Sequence, residues 1–85
     1  MQCMSLEEKI KSAKKKVISL AGSKVEDIYK LEKDGHIYVT YKGNDVFVWY
    51  LDYNTEICIS VLTGKLLTDK EIDDLCQENS ELPHT

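Results

Sequence analysis

Ile37-Tyr38-Val39-Thr40-Tyr41-Lys42-Gly43-Asn44-Asp45-Val46-Phe47-Val48-Trp49-Tyr50-Leu51 is the stretch that decides the fold of this 85-residue chain. β-Branched and aromatic residues fill both halves, and Lys42-Gly43-Asn44-Asp45 between them is a turn signal. With Gly43-Asn44 as a two-residue hairpin loop, Tyr41 faces Val46, Val39 faces Val48 and Ile37 faces Tyr50. Asp52-Tyr53-Asn54-Thr55 turns the chain again, and Ile57-Cys58-Ile59-Ser60-Val61 makes the next strand, ended by Thr63-Gly64. A loop at Tyr53-Asn54 sets Tyr50 against Ile57, Val48 against Ile59 and Val46 against Val61. Both loops gather the aliphatics on one face, where a one-residue slip would scatter them. The other face carries Tyr38, Thr40, Phe47, Trp49, Leu51, Cys58 and Ser60. Upstream, Val25 to Glu32 reads as a first strand whose alternation Glu26-Asp27-Ile28 blurs, with Asp34-Gly35 turning into the next.

Helical patterns flank this block. Ser5 and Glu8 have capping-box spacing, and Leu6, Ile10, Ala13, Val17, Leu20 and Ala21 recur as one apolar stripe. Gly22 is placed to end this helix with a left-handed cap, so it runs from about Ser5 to Ala21. Lys9, Lys11, Lys14, Lys15 and Lys16 lie mostly outside the stripe and read as a solvated face. A basic amphipathic helix can bind an anionic surface, but this apolar side lacks aromatics and suits a sheet. Thr68-Asp69-Lys70-Glu71 repeats the capping-box spacing, and Ile72, Leu75 and Cys76 share a face of the helix it opens. The expected architecture is α+β: a long N-terminal helix packed on a meander of about four antiparallel strands, then a short C-terminal helix. Residues 1–78 form a single domain and 79–85 a polar tail.

Composition narrows the function. A hydrophobic fraction of 42% with 31% charged residues is that of a soluble globular domain. No stretch approaches the roughly 18 apolar residues of a membrane span. All 11 basic residues are lysines, so the guanidinium fork that reads base edges and clamps phosphates is missing. A net charge of −4 also repels a nucleic-acid backbone. The charge is uneven: residues 1–33 hold 8 lysines against 5 acids, and residues 34–85 hold 3 against 10. That acidic second half suits a basic protein partner better than nucleic acid or membrane.

Residue chemistry points the same way. Met1-Gln2-Cys3-Met4 leads straight into Ser5-Leu6-Glu7-Glu8, which does not read as an export signal. Cys3, Cys58 and Cys76 are odd in number and contain no Cys-x-x-Cys pair, which fits a reducing, cytoplasmic setting. Cys58 and Cys76 read as small buried hydrophobes and Cys3 as exposed. With His36 beside a turn and His84 in the tail, no metal-ligand spacing emerges. Asp69, Glu71, Asp73 and Asp74 suit the start of a helix through its macrodipole, and Asp45 and Asp52 suit turns. Gly22, Gly35, Gly43 and Gly64 are too dispersed for a phosphate cradle, so no cofactor is expected. No nucleophile, base and orienting group can be named together, and the chain is read as non-enzymatic.

The informative feature is the second sheet face. Tyr38, Phe47, Trp49 and Leu51 would form a contiguous apolar patch of the kind that has a purpose. The C-terminal helix, a second copy, or a different partner or ligand would cover it.

The segment from about Leu6 to Leu67 resembles a PepSY-type domain in its order of helix, Gly22 and strands ending in Val61-Leu62-Thr63-Gly64-Lys65-Leu66. That closing turn is similar to the family's aspartate-x-x-threonine-glycine-x-hydrophobic ending, although Val61 stands three residues before Gly64 and Ser60 before that, so the family's aspartate is missing. The resemblance implies a helix-on-sheet fold and an inhibitory or regulatory role beside peptidases, in a family that is mostly extracytoplasmic. Together these readings predict a small protein-interaction module of inhibitor, immunity or regulatory type. Tyr38, Phe47, Trp49 and Leu51 are its expected anchors, and its acidic half steers a basic partner. The alternative is a small apolar ligand held between sheet and helix.

Overall fold

A computed structural model describes residues 5–80 along the backbone and residues 5–75 in their side chains. The first helix, α1 (Leu6–Leu20), starts at the predicted capping box. The Glu8 N–H donates to Ser5 Oγ at 3.2 Å, and the Ser5 N–H donates to Glu8 Oε1 at 3.0 Å. It ends where Gly22 takes φ 83°, with Gly22 N–H on the Ser19 carbonyl and Ser23 N–H on that of Ile18. This pair of bonds is a Schellman cap, which only a residue tolerant of positive φ closes without strain.

The buried side of α1 differs in detail from the predicted stripe. Ala13, Val17 and Ile18 are buried, Ile10 and Ala21 pack at the margin, and Leu6 and Leu20 are half exposed. Leu20 lies roughly a quarter turn from the centre of the seam through Ile10, Val17 and Ala21. Lys14 falls within that seam, where it forms an ion pair with Glu32.

Glu32 belongs to an element that corrects the sequence reading. Val25 to Glu32 is not a strand: Val25–Asp27 is a 3₁₀ turn running into α2 (Ile28–Lys33). Ile28 and Leu31, three apart, both pack on the core, as a helix allows and an alternating strand does not. Gly35, also at φ 83°, closes α2 with a second Schellman cap, through Gly35 N–H to Glu32 and His36 N–H to Leu31. The sheet therefore has three strands and not four.

These strands, β1 (Ile37–Lys42), β2 (Asp45–Leu51) and β3 (Glu56–Ser60), form an antiparallel meander in the order β1-β2-β3. The register is the predicted one. Val39 pairs with Val48, Ile37 with Tyr50, Tyr50 with Ile57 and Val48 with Ile59. Gly43 takes φ 59° at the first loop position, the sign that favoured two-residue hairpins require. In the second turn Asn54 and Thr55 both donate their N–H groups to Asp52 Oδ1 at 2.9 Å. The Asn54 bond, aided by those of Tyr50 and Thr55, holds the Asp52 carboxyl below the usual carboxylate range.

The chain beyond β3 returns along its free edge. Ser60 N–H bonds the Lys65 carbonyl at 3.0 Å, Leu67 N–H bonds the Cys58 carbonyl at 2.9 Å, and Ile59 bridges Leu66. Thr68 then caps α3 (Asp69–Ser80) by the predicted reciprocal exchange with Glu71. Its last two residues include the predicted start of the tail at Asn79. The rest of the tail with His84, Cys3, and the side chain of Cys76 lie outside the described residues.

Three layers result. α1 and α2 cover the aliphatic face, where Ile37, Val46, Val48, Tyr50, Ile59 and Val61 join Val17 and Ile18 in the main core. α3 lies on the opposite face, where Ile72 packs with Trp49 and Cys58. Among the described residues no helix is long and apolar enough to cross a membrane.

Candidate functional site

The outer sheet face is built by the even positions of β1 and β3 and the odd positions of β2, set by the register. Tyr38, Trp49 and Cys58 are neighbours across the three strands, and Thr40, Phe47 and Ser60 form the next row. α3 lowers Ile72 onto the first row, leaving Trp49 only 7% exposed and Cys58 fully buried. The helix, then, covers the centre of the patch. Trp49 is the core of this layer, and its indole Nε1 donates to Thr40 Oγ1 at 2.9 Å.

The other predicted anchors surround it unequally. Tyr38 stays 40% exposed and lies parallel to the Trp49 ring, with centroids 6.0 Å apart and planes 6° from parallel. Phe47 is half buried against the Trp49–Cys58–Ile72 cluster, as are Leu67 and Leu75. Leu51 is half buried at the far end of β2, opposite Glu56, and does not join that cluster. Three of the four residues are thus brought together and one is not.

Two hollows flank α3. One, of about 400 Å³, has Phe47, Leu66, Leu67 and Leu75 as apolar lining and Asp45, Glu71, Asp74 and Lys65 as charged lining. The other, of about 190 Å³, lies among Tyr38, Thr40, Tyr41 and Trp49, with Lys42 and Glu56 as its charged lining. Phe47 and Leu75 line both and form the ridge between them. Three carboxylates against one ammonium make the larger hollow acidic. Asp69 and Asp73 are exposed elsewhere on the same helix.

Asp45 has a structural task beside this hollow. Its Oδ2 accepts from Ser60 Oγ at 2.7 Å, and its Oδ1 accepts from Val46 N–H at 2.7 Å and Leu62 N–H at 3.1 Å. These bonds fix the start of the segment returning along β3. That segment presents Leu62 and Leu66, 65% and 50% exposed, which the sequence reading passed over as a turn. The tandem Leu66-Leu67 after Gly64 was the available signal, since Leu67 packs on the cluster while Leu66, half exposed, lines the larger hollow.

His36, Tyr50 and Asp52 are engaged in the fold. His36 Nδ1 sits 2.7 Å from the Leu51 carbonyl, to which its N–H donates, and its ring stacks on Tyr50 at 6.3 Å. The Tyr50 hydroxyl donates to Asp52 Oδ2 at 3.2 Å. On the far side of the molecule, a groove of about 510 Å³ between α1 and α2 has Ile10, Val25, Ile28 and Tyr29 in its lining beside the Lys14–Glu32 pair. Among the described residues no group of three or more His, Cys, Asp or Glu side chains is gathered as a metal site would require. No family model, curated protein or solved structure matches this chain.

Proposed function

We infer that this chain is a non-enzymatic protein-binding module that takes a basic, apolar segment of another protein along α3. The observation that carries the reading is the ridge of Phe47 and Leu75, which borders both hollows, with the carboxylates of Glu71 and Asp74 lining the larger one. Apolar contact supplies affinity here, and the surrounding charge selects the partner and speeds encounter. Tyr38, next to the smaller hollow, is the exposed aromatic anchor, and Trp49 supports it from below. The inhibitory or regulatory role implied by the PepSY resemblance, and a cytoplasmic location, belong to this proposal. A second reading, a small apolar ligand, draws support from the α1–α2 groove, whose volume is in the range of ligand pockets.

Titrating the ¹⁵N-labelled chain with a lysine- and leucine-rich peptide, and with its glutamate counterpart, tests the reading. Amide shifts at Phe47, Leu67, Asp74 and Leu75 are expected with the basic peptide alone, weakening as salt rises. Asp74→Lys should abolish them while leaving the fold unchanged. Equal response to both peptides, or shifts confined to the α1–α2 groove, would overturn it.

A further inference from the structure

The sheet has two edges, and the chain treats them differently. The β3 edge is closed by the segment Lys65–Leu67, through the Ser60, Ile59 and Cys58 contacts. The β1 edge is open: β1 is the terminal strand, and no other strand of the described residues flanks it. The Leu51 N–H bonds the His36 carbonyl at 2.8 Å, which fixes the phase of the β1–β2 ladder. Tyr38, Thr40 and Lys42 therefore direct their backbone groups toward β2. Ile37, Val39 and Tyr41 direct theirs outward.

Natural edges are guarded by proline, a bulge, a charge in mid-strand or a covering element. From Ile37 to Tyr41 this strand has no proline and no charge, and its register with β2 runs without a bulge. It is also rich in strand formers, and Tyr38 and Tyr41 flank it at 40% and 70% exposure. These are the features of a template for strand addition.

We propose that the open β1 edge pairs with the β1 edge of a second copy, antiparallel and centred on Val39, joining two three-stranded sheets into one. An axis at Val39, the middle outward-facing residue, is the one that matches all three of Ile37, Val39 and Tyr41, whereas an axis at Tyr38 or Thr40 leaves one of them without an outward partner in the strand. In that register Val39 meets Val39 of the copy, Ile37 meets Tyr41, and Tyr38 meets Thr40. Each of the three outward pairs exchanges two N–H···O bonds. Every cross-strand pair is aliphatic, aromatic or β-branched, the combinations that stabilise antiparallel neighbours. No like charges oppose one another in the pairing, since Lys42 falls opposite His36. The strand is thus self-complementary, as a two-fold interface demands. The axis runs perpendicular to the sheet, so both copies present α3 on the same side. This inference stands independently of what α3 binds.

The full chain, followed by light scattering across a dilution series and by amide hydrogen exchange, tests this. A monomer–dimer equilibrium is expected, in which concentration protects the amides of Ile37, Val39 and Tyr41. Those of Tyr38 and Thr40 should be protected throughout. Val39→Pro removes only an outward donor, a position where an edge strand accepts proline. It should weaken the dimer by about tenfold or more. Tyr41→Lys, at an exposed site, should weaken it similarly with the monomer fold intact by Trp49 fluorescence, and serves if the proline variant does not fold. A chain that stays monomeric at every concentration overturns the proposal. So does a dimer whose Ile37, Val39 and Tyr41 amides exchange freely, or one that survives Tyr41→Lys.

Discussion

The Trp49 indole N–H donates to the Thr40 hydroxyl at 2.9 Å, joining a buried side chain on β2 to an exposed residue on β1. Thr40 pairs directly with Phe47, so the bond runs on the diagonal and ties two rows of the outer face together. Thr40→Val keeps the shape and removes the acceptor. It should cost about 1 kcal/mol, the net worth of one hydrogen bond with its donor stranded. Urea unfolding followed by Trp49 emission checks this, and an unchanged midpoint would show that solvent serves the indole equally well.

Ile72 holds α3 to the sheet. Its side chain is 3% exposed and packs on Trp49 and Cys58. Ile72→Ala should destabilise the protein by about 2–4 kcal/mol and move Trp49 emission to the red as water reaches the ring. Ile18→Ala, in the other core, should cost a similar amount without that native-state shift. A blue-shifted Trp49 in folded Ile72→Ala would mean that the layer is held elsewhere.

Asp45 carries the junction between β3 and the returning segment. Its carboxylate accepts from Ser60, Val46 and Leu62 at once. Asp45→Ala strands the buried Ser60 hydroxyl and should cost about 2–3 kcal/mol. Asp45→Asn should cost less, since one oxygen remains to accept. Faster exchange of the Leu62 amide in both variants is the local signature, and its absence would refute the assignment.

Asp52 gives the second hairpin a pH dependence. Its folded carboxyl titrates below the usual range, chiefly through the Asn54 N–H. The ionised form is therefore favoured by folding, and its contribution is complete above the unfolded carboxylate pKa. It is lost as pH falls through the folded value. The stability difference between wild type and Asp52→Asn should accordingly narrow on acidification. Two parallel stability–pH profiles would contradict it.

The hairpins were legible because period-two alternation, turn residues and register all constrain one another. Slipping Val39 off Val48 would turn Val46, Val48 and Tyr50 to the wrong side. Both capping boxes were legible for a similar reason, since the chemistry sits within four residues. The error at Val25 to Glu32 arose where two periods compete over a short run. Val25, Ile28 and Leu31 favour a helix, and the deciding signal was Gly35 at the C-terminal cap position with Lys30 and Lys33 in the last turn. The fate of Trp49 depended on which element covers it. Alternation assigns a residue to a face and says nothing of what lies above that face; Ile72 arrives from 23 positions away.

The meander also bears on how fast this chain reaches its native state. β2 meets both neighbours through tight turns, and α2 is joined to β1 by a short glycine-capped turn. Most of the sheet therefore forms between residues near in sequence, with little loop-closure entropy to overcome. The main distant step is the docking of α1 onto β2 and β3, which brings Val17 and Ile18 to Val48 and Ile59. Refolding should be complete on the order of milliseconds, with the β1–β2 hairpin in the nucleus and α1 closing over it.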